Sequence, residues 1–550
     1  MVKEPREVKV SELDRRQVLA LMGTSTGAFL AGCTGGDGGD GGDGGDGGDG
    51  GDGGDGGDGG DGGGGGGGDN EFQDAIGQLD FAENWEERRG FANSDEWPTE
   101  ERLDVPEGDA LYEVQSWLDS GSMENAHWEP PSGWEDTIAG DVDTIQHLNY
   151  GDLQFDRATV ATYALFEKAT GIEIEPLEIV VDQAIPRMAA TFSSGEGEPQ
   201  ILCNSAHQSM TSYASNGHLE PVPQTMPDDG MWDAYIPIAN QTFQFDGQLW
   251  GGPNIVEGTM THIRPSVISD LGVDSGVVEA MIDGSWDWTD LEAIMEALEG
   301  TDQFAWAVRG SSRVYSEQDF KVMWYQTGGG YVNDDGTVTV NDDDALYALE
   351  KLVEWKSKGW MPEAISNWTQ GDLADGFLSE NLLAVPVATD LISDSIDQWG
   401  YEPDVTPDTE YAVTQFPKAD QGSDPQSTTL ATTTLNSINA YADPADKLVG
   451  ALYLDARYSY ASSWWEYVEE GNMAYASDVY GDAAERASDS AFFSERKGEA
   501  MQNAKLDVYA QQRAISQRVS QEVQIALSGD KEPQQALDDA QGFIDTVLGQ

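Results

Sequence analysis

Between residues 144 and 217 the sequence alternates short apolar runs with longer amphipathic stretches. The apolar runs predict three strands, at residues 144–150, 172–181 and 200–203. The amphipathic stretches predict three helices, at residues 158–170, 184–192 and 210–216. Strands and helices that alternate at this spacing form a parallel, doubly wound sheet with right-handed crossovers. The pattern therefore predicts an α/β fold.

Polar and aromatic residues follow the predicted strands at their carboxyl ends, where sheets of this kind bind ligands. Tyr150 and Asp152 follow the first strand, and Asn204 and His207 follow the third. We expect these four side chains to contact a ligand. Two alternatives stay open, because Asp152 could cap the next helix and His207 could be a surface loop residue. Cys203, inside the third strand, is predicted to be buried.

The amino terminus has the pattern of an export signal. Arg15 and Arg16 precede an apolar run over residues 18–31, which is too short to span about 30 Å of hydrocarbon as a helix. The run ends in small residues directly before Cys33, and this arrangement resembles the lipobox of lipoproteins behind a twin-arginine export signal. We predict a lipoprotein signal peptide over residues 1–32 and a lipid anchor on Cys33 at the extracellular face of the membrane.

Residues 33–69 consist largely of a repeated Gly-Gly-Asp unit. Such a segment cannot bury apolar surface, glycine loses the most conformational freedom on ordering, and the aspartates repel one another. Collagen also has glycine at every third position, but the repeat contains no proline. We predict a disordered, solvated tether with a reach on the order of 30 Å.

The 550 residues include 101 acidic and 28 basic residues, for a formal net charge of −73. A surface this negative repels nucleic acid and anionic lipid headgroups, so neither is an expected partner. Acidic residues also fill the part of the chain beyond the tether, where molar salt would screen their repulsion. We predict a halophilic organism, an archaeon, rather than an ordinary acidic secreted protein. Two cysteines exclude a disulfide framework and a cysteine-rich zinc site.

Seven sequence blocks occur in order along the chain, at residues 166–172, 215–222, 245–253, 328–336, 377–385, 438–440 and 526–540. Together they resemble the family 1 extracellular solute-binding proteins, the maltodextrin-binding-protein-like sugar receptors of ABC importers. The resemblance implies a periplasmic-binding-protein-like class II fold, with two doubly wound α/β lobes joined by a multi-strand hinge. It implies a monomeric receptor, not an enzyme, with a sugar and the importer's permease subunits as partners.

The hinge divides the predicted lobes along the sequence. We place the first lobe at residues 140–255 and 428–480, and the second lobe at residues 256–427 and 481–550. Residues 70–139 depart from the family pattern, and we interpret them as an amino-terminal extension packed on the first lobe.

Sugar sites combine aromatic faces that stack on the sugar ring with planar polar groups that pair with adjacent hydroxyls. The segment from Pro253 to Glu257 resembles the family's crossing segment, so we predict that Glu257 faces the cleft, with a hinge salt bridge as the alternative. The further candidates for ligand contact are Tyr315, Asp319, Trp324, Trp368, Asp390 and Trp464. Trp324 could instead belong to the core. Trp368 lies in an Asn-x-Thr glycosylation sequon, residues 367–369, and a second sequon occupies residues 240–242.

Motifs of catalysis are missing from the sequence. It has neither a Walker phosphate-binding loop nor a His-Glu-x-x-His zinc motif, and a Gly-x-Ser-x-Gly spelling at residues 23–27 lies inside the signal peptide. Residues 333–336 lack the earlier ligands of an EF-hand and predict a hairpin turn. We predict no cofactor and no metal. The alternatives are a receptor for a peptide, polyamine or iron, an anchored extracellular glycosidase, and a structural surface protein.

Overall fold

The computed structural model describes residues 68–94, 123, 125–137, 142–150, 156–179, 181–205, 209–223, 231–310, 315–333, 336–379, 381–388, 406–470, 472–486 and 491–549. The predicted signal peptide, most of the predicted tether, Cys33, Asp152, His207 and Asp390 lie outside these residues.

The described residues form ten strands in a mixed α/β fold. They are β1 (Thr144–Tyr150), β2 (Glu173–Ile179), β3 (Ile201–Ser205), β4 (Leu219–Glu220), β5 (Gln244–Phe245), β6 (Gln248–Leu249), β7 (Gly252–Ile263), β8 (Ala384–Ala388), β9 (Ala412–Thr414) and β10 (Ala431–Asn439). Eight of them join in one sheet with the order β2-β1-β3-β10-β7-β8, in which β4 also pairs with β10 and β9 with β7. Strands β5 and β6 form a separate hairpin.

Helices cover the sheet. They are α1 (Gly68–Ile76), α2 (Trp85–Arg88), α3 (Trp134–Thr137), α4 (Arg157–Thr170), α5 (Val181–Ser194), α6 (Thr211–Ser215), α7 (Pro237–Thr242), α8 (Pro265–Asp270), α9 (Ser275–Asp283), α10 (Trp288–Ala297), α11 (Tyr315–Gln326), α12 (Asp343–Ser357), α13 (Gln370–Leu378), α14 (Pro444–Arg457), α15 (Tyr460–Val468), α16 (Asp478–Arg486), α17 (Ala491–Gln502), α18 (Gln512–Ser528) and α19 (Pro533–Leu548).

The alternation predicted for residues 144–216 is confirmed. Strands β1, β2 and β3 are parallel, with β1 in the middle, and α4 and α5 connect them. Cys203 is fully buried in β3, as predicted. The parallel arrangement stops at β10 and β7, which are antiparallel to their neighbours. Because β10 is antiparallel to both β3 and β7, β7 runs in the same direction as β1, β2 and β3.

Strand β7 serves both halves of the sheet. Residues 252–258 pair with β10, and residues 259–263 pair with β8 and β9. Gly258 stands where the partners change. A β-carbon on Gly258 would lie 2.7 Å from the Sδ atom of Met501 and 2.8 Å from the Cε atom of Met473, so any other residue here would force both methionine side chains to move.

Two further segments, residues 428–431 at the start of β10 and residues 503–505, run beside this crossing strand. Thr428 donates through its Oγ1 to the carbonyl oxygen of Asn503 at 2.7 Å, and the backbone N–H of Lys505 donates to the carbonyl of Thr429 at 2.9 Å. The backbone N–H of Ala431, in β10, donates back to the carbonyl of Lys505. The two halves of the sheet are therefore linked at β7, at the start of β10 and at residues 503–505.

On the far side of β7, the carboxyl-terminal helices α18 and α19 pack against α11 and α12. Trp324 of α11 is fully buried there, and its Nε1 donates to the Asp342 carboxylate, which caps α12, at 3.0 Å. A β-carbon on Gly329 would lie 1.9 Å from this indole nitrogen, so glycine is required beside it. Nearby, the backbone N–H of Asn333 donates to the carbonyl of Thr337 and Val332 pairs with Val338, so the described residues on the two sides of the predicted hairpin turn are paired.

The described residues of the predicted amino-terminal extension pack against helix α14. Helix α1 lies against α14. Arg88, Arg89 and Trp128 all donate to the buried carboxylate of Asp455 on α14, at 3.0, 2.6 and 2.9 Å. Burial alone would raise the pKa of Asp455, but the two guanidiniums lower it below its ordinary value. One carboxylate thus joins two separate parts of the extension to the lobe.

Candidate functional site

The carboxyl ends of the first-lobe strands form one edge beside the crossing strands. Strand β1 ends at Tyr150 and β3 ends at Ser205, which pairs with Thr434 near the start of β10. Three buried side-chain oxygens at this edge accept no hydrogen bond from the residues that the structure describes. They are Asn149 Oδ1, Asn204 Oδ1 and Thr433 Oγ1. Leaving a buried acceptor unpaired costs about 1–3 kcal/mol, so hydrogen-bond donors of a bound ligand would be favourable at this edge.

Three carboxylates gather next to this edge. Asp156 caps α4 by accepting from Thr159 N–H at 2.9 Å, and it also accepts from the Asn149 amide at 3.3 Å. Glu470, just beyond α15, accepts from Arg157 N–H at 2.8 Å. Glu466 accepts from Arg457 at 2.7 Å. We call Asp156, Glu466 and Glu470 the acid cluster.

Burial and the charges of neighbouring carboxylates shift Glu466 and Glu470 toward their protonated forms. Burial raises the pKa of Glu470 to about 8, and the charges of Asp156 and Glu466 add to the effect. Burial likewise raises the pKa of Glu466 to about 7, although Arg457 opposes it. Two neighbouring carboxyls therefore titrate close to neutral pH, as groups at functional sites often do.

The acid cluster is joined directly to the crossing strand. Asn472 donates through Nδ2 to Glu466 Oε2 at 2.8 Å, and the next residue, Met473, donates from its backbone to the carbonyl of Val256 at 2.8 Å. Val256 precedes Glu257, which is half-buried. The predicted cleft glutamate and the acid cluster thus lie on adjoining segments.

Glu257 faces a second-lobe group centred on Arg309. The Arg309 guanidinium donates to Asp319 Oδ1 through Nε at 2.9 Å and through Nη2 at 2.5 Å, and it lies 5.1 Å from the centre of the Tyr315 ring. Burial alone would lower the pKa of Arg309, but the charges of Asp319, Tyr315 and Glu257 raise it. The group combines an aromatic face with planar, charged hydrogen-bonding groups.

The structure brings together several residues predicted from the sequence. Glu257, Tyr315 and Asp319 form one group, and Asn204 is buried at the strand edge, where it donates to Ser437 Oγ at 2.8 Å. Tyr150 is the last residue of β1.

Two predicted tryptophans belong to the core instead. Trp324 has no exposed surface, and its N–H donates to Asp342, the residue that caps α12. Trp324 is therefore a core residue, which is the alternative stated for it above. Trp464 is 2% exposed within α15 and lies against Tyr460. Helical spacing could not reveal which way these indoles face, because α11 and α15 are buried on nearly every side. Trp368 is half-buried against the core near Gly376, and its role in binding stays a prediction.

The sequence carries a signal for Arg309, which is absent from the residues predicted above. Arg309 follows the apolar run from Ala305 to Val308 in a chain with few basic residues, and a charge in that setting indicates a buried partner. The acid cluster gave no such signal, since Asp156 and Glu470 lie 314 positions apart and acids are abundant everywhere.

We also searched the described residues for a second binding site, a metal site and a membrane-spanning helix. A hollow of about 710 Å³ lies between residues 126–136 and the carboxyl-terminal half of α4, at the opposite end of that helix from the strand edge. No group of three or more His, Cys, Asp or Glu residues in the described ranges could hold a metal ion. Within the same ranges, no helix has the length and apolar character to cross a membrane.

Comparison with known proteins agrees with this architecture. A family model described as bacterial extracellular solute-binding protein matches residues 161–478, more than half of the chain. Maltose-bound MalE3 of T. maritima has a TM-score of 0.60 at 15% identity, over 74% of this chain and 99% of its own. No curated protein sequence matches the chain.

Two more solved structures share the fold. A solute-binding protein of an ABC transporter from Thermotoga lettingae, bound with α-D-tagatose, has a TM-score of 0.59 at 17% identity, over 74% of this chain and 100% of its own. The GacH receptor of Streptomyces glaucescens, solved unliganded and with acarbose, has a TM-score of 0.58 at 16% identity. The match covers 74% of this chain and 98% of the GacH chain. The predicted fold class is thereby confirmed.

Proposed function

The chain belongs to the bacterial extracellular solute-binding protein family, and from this premise we propose that it is an ABC importer receptor that binds a carbohydrate between its two lobes. The ligand would contact the strand edge of the first lobe, Glu257 on the crossing strand, and the Arg309 group of the second lobe. Closure of the lobes around it would present the closed form to the permease.

One observation carries the proposal: Glu257, Arg309, Asp319 and Tyr315 form a single group beside the crossing strand. Carboxylates and guanidiniums form paired hydrogen bonds with adjacent hydroxyls, and a tyrosine ring offers a face for the C–H surface of a sugar. Proteins of similar fold that were solved with maltose, tagatose or acarbose support the same ligand class.

The alternatives are weaker. A glycosidase needs two carboxyls about 5–10 Å apart around a scissile bond, and an acid-rich chain offers such pairs by chance. A peptide, polyamine or iron receptor remains the second candidate, and the acid cluster is the observation that would favour a cationic solute.

The setting of the receptor is also part of the proposal. Paired arginines before a short apolar run and the small residues before Cys33 support twin-arginine export and lipid anchoring. The Gly-Gly-Asp repeat supports a tether, and the net charge of −73 supports a halophilic source. A monomer with the lobe boundaries predicted from the sequence completes the proposal.

A calorimetric titration of the full chain with mono- and oligosaccharides in molar KCl tests the function. We expect at least one sugar to bind, and Glu257→Gln to weaken that binding at least about tenfold, or about 1.4 kcal/mol. Glu173→Gln, an exposed change on β2, is the control and should bind as the parent does. Binding of polyamines but of no sugar would overturn the carbohydrate assignment.

A further inference from the structure

Strand β7 carries a β-bulge shortly before Glu257. The pairing of β7 with β10 shifts by one residue at Thr434, so that two residues of β7 stand opposite this one. If regular pairing continued from Leu435, Val256 would stand where Glu257 stands. Val256 is fully buried, whereas Glu257 is half-buried and faces Arg309. The bulge therefore determines which of the two side chains is presented to the second lobe.

Two backbone carbonyls of the bulge are held by Arg457, the last residue of α14. Its Nε donates to the carbonyl oxygen of Pro253 at 3.2 Å, and its Nη2 donates to that of Asn254. Asn436 of β10 adds a second donor to the Pro253 carbonyl, at 3.3 Å. A bulge interrupts the ladder of backbone hydrogen bonds, so donors from side chains offset the loss. One planar guanidinium can serve both carbonyls because its N–H groups form a rigid fork.

Glu466 holds this guanidinium from α15. Its Oε1 accepts from Arg457 Nη2 at 2.7 Å, and the two side chains are 1% and 0% exposed. Its Oε2 accepts from Asn472, whose neighbour Met473 donates to the carbonyl of Val256. Residues 253–256 of β7 are thus held by two helices and by the segment at residues 472–473.

Thr434 holds the bulge from β10. Its Oγ1 accepts from the backbone N–H of Ile255 at 3.2 Å and from Asn254 Nδ2 at 3.3 Å. Asn254 is fully buried and also donates to Cys203 Sγ at 3.1 Å. Both residues that face Thr434 are therefore held by side-chain contacts in addition to the strand pairing.

We propose that Arg457, Glu466 and Thr434 are positioning residues, which hold the bulge of β7 so that Glu257 is directed at the bound solute. The inference rests on the proposed function, because it concerns the glutamate assigned there to the carbohydrate. The three residues act through the backbone of residues 253–256, which leads directly into Glu257. A binding group that is held by buried supporting side chains keeps the geometry that its ligand requires.

Calorimetric titrations with glucose, galactose, mannose, lactose and trehalose test the effect on binding. They are run in molar KCl at about pH 8, above the pKa of about 7 of Glu466. For a sugar that the parent binds, Arg457→Lys should raise the Kd at least about tenfold, because an ammonium lacks the planar fork that serves two carbonyls and a carboxylate. Adding Glu257→Gln to this variant should weaken binding little beyond Glu257→Gln alone, since both changes remove the same contact.

Arg89→Lys is the matched control for these titrations. It makes the same exchange at another fully buried arginine of the fold, which donates to Asp455 on α14, and it should bind as the parent does. Thr434→Val is a milder second variant, since it keeps the shape of the side chain and removes only the hydroxyl. It should raise the Kd about threefold or more, and thermal unfolding shows which variants are folded.

Parent affinity in either variant that folds would overturn the inference and leave the carbohydrate function standing. So would effects of Arg457→Lys and Glu257→Gln that add in full, because independent changes add.

Denaturant unfolding decides the inference without a sugar. The change in unfolding midpoint caused by Glu257→Gln should fall by at least about half in the Arg457→Lys and Thr434→Val backgrounds, because Glu257 no longer meets the Arg309 group in the same place. It should stay as in the parent in the Arg89→Lys background. Equal changes in every background would overturn the inference. Coupling in unfolding without binding of any of the sugars would overturn the carbohydrate function alone.

Discussion

At the residue scale, the pKa of Glu470 links the candidate site to the stability of the fold. Its pKa is raised from an ordinary 4.5 to about 8 by burial and by its acidic neighbours. The folded protein therefore binds this proton more tightly than the unfolded chain does. The stabilising effect is full below the unfolded pKa and is lost as the pH rises toward about 8.

We expect the Glu470→Gln variant to be more stable than the parent at high pH. At about pH 9 the gain in unfolding free energy should exceed about 1 kcal/mol, since one pKa unit corresponds to about 1.4 kcal/mol, and it should shrink toward about pH 5. Denaturant unfolding of both proteins across this range measures the difference. A gain that is the same at every pH would show that Glu470 does not titrate in the folded protein as described.

At the element scale, β7 is the strand on which both halves of the sheet depend, and Gly258 is the position where its pairing partners change. Met473 and Met501 fill the space that any side chain would need. The strand is thus both continuous in backbone and tightly packed where the lobes meet.

The Gly258→Ala variant should lose about 1–3 kcal/mol of unfolding free energy, because the new methyl group displaces two packed methionines. Thermal or denaturant unfolding gives the loss. Gly481→Ala in helix α16 is the matched control. It meets no atom within 4 Å, so it should be neutral or slightly stabilising. A Gly258→Ala protein as stable as this control would contradict the packing seen at the crossing point.

Local elements were predictable from the sequence, whereas the assembly of the site was predictable only in part. Strand β1 and helix α4 follow from hydrophobic periodicity, which is a property of neighbouring residues. Glu257 could be selected because the crossing-segment motif marks it, and Asp319 because it lies shortly ahead of the triple glycine at residues 328–330. Contact between Asp156 and Glu470 depends on how distant segments pack, and no local pattern encodes it.

At the scale of the whole molecule, the described part of the predicted amino-terminal extension packs on the rest of the fold. The extension lies ahead of the matched residues 161–478, yet its Arg88, Arg89 and Trp128 share the buried carboxylate of Asp455. A buried carboxylate between two arginines holds its neighbours in place far more firmly than an exposed ion pair could.

The Asp455→Asn variant should therefore lose about 3–5 kcal/mol, because it leaves two arginines in the interior without their counter-charge. Denaturant unfolding measures the loss, and limited proteolysis should show earlier cleavage within residues 70–139. An exposed change on the same lobe, Asp443→Asn, serves as the control only if its own midpoint is unchanged. Unaltered stability of Asp455→Asn would mean that the extension is held by other contacts.

The position of helix α1 determines which part of the fold a pulling force on the amino-terminal end of the chain would reach. Phe72 and Gln73 attach α1 to the first lobe, through α14 and the Glu220 side chain of β4. Helix α14 also packs against the crossing strands β7 and β10, and β4 pairs with β10. A pull on the chain ahead of Gly68 would therefore be passed through α14 and β4 to the two strands that join the halves of the sheet.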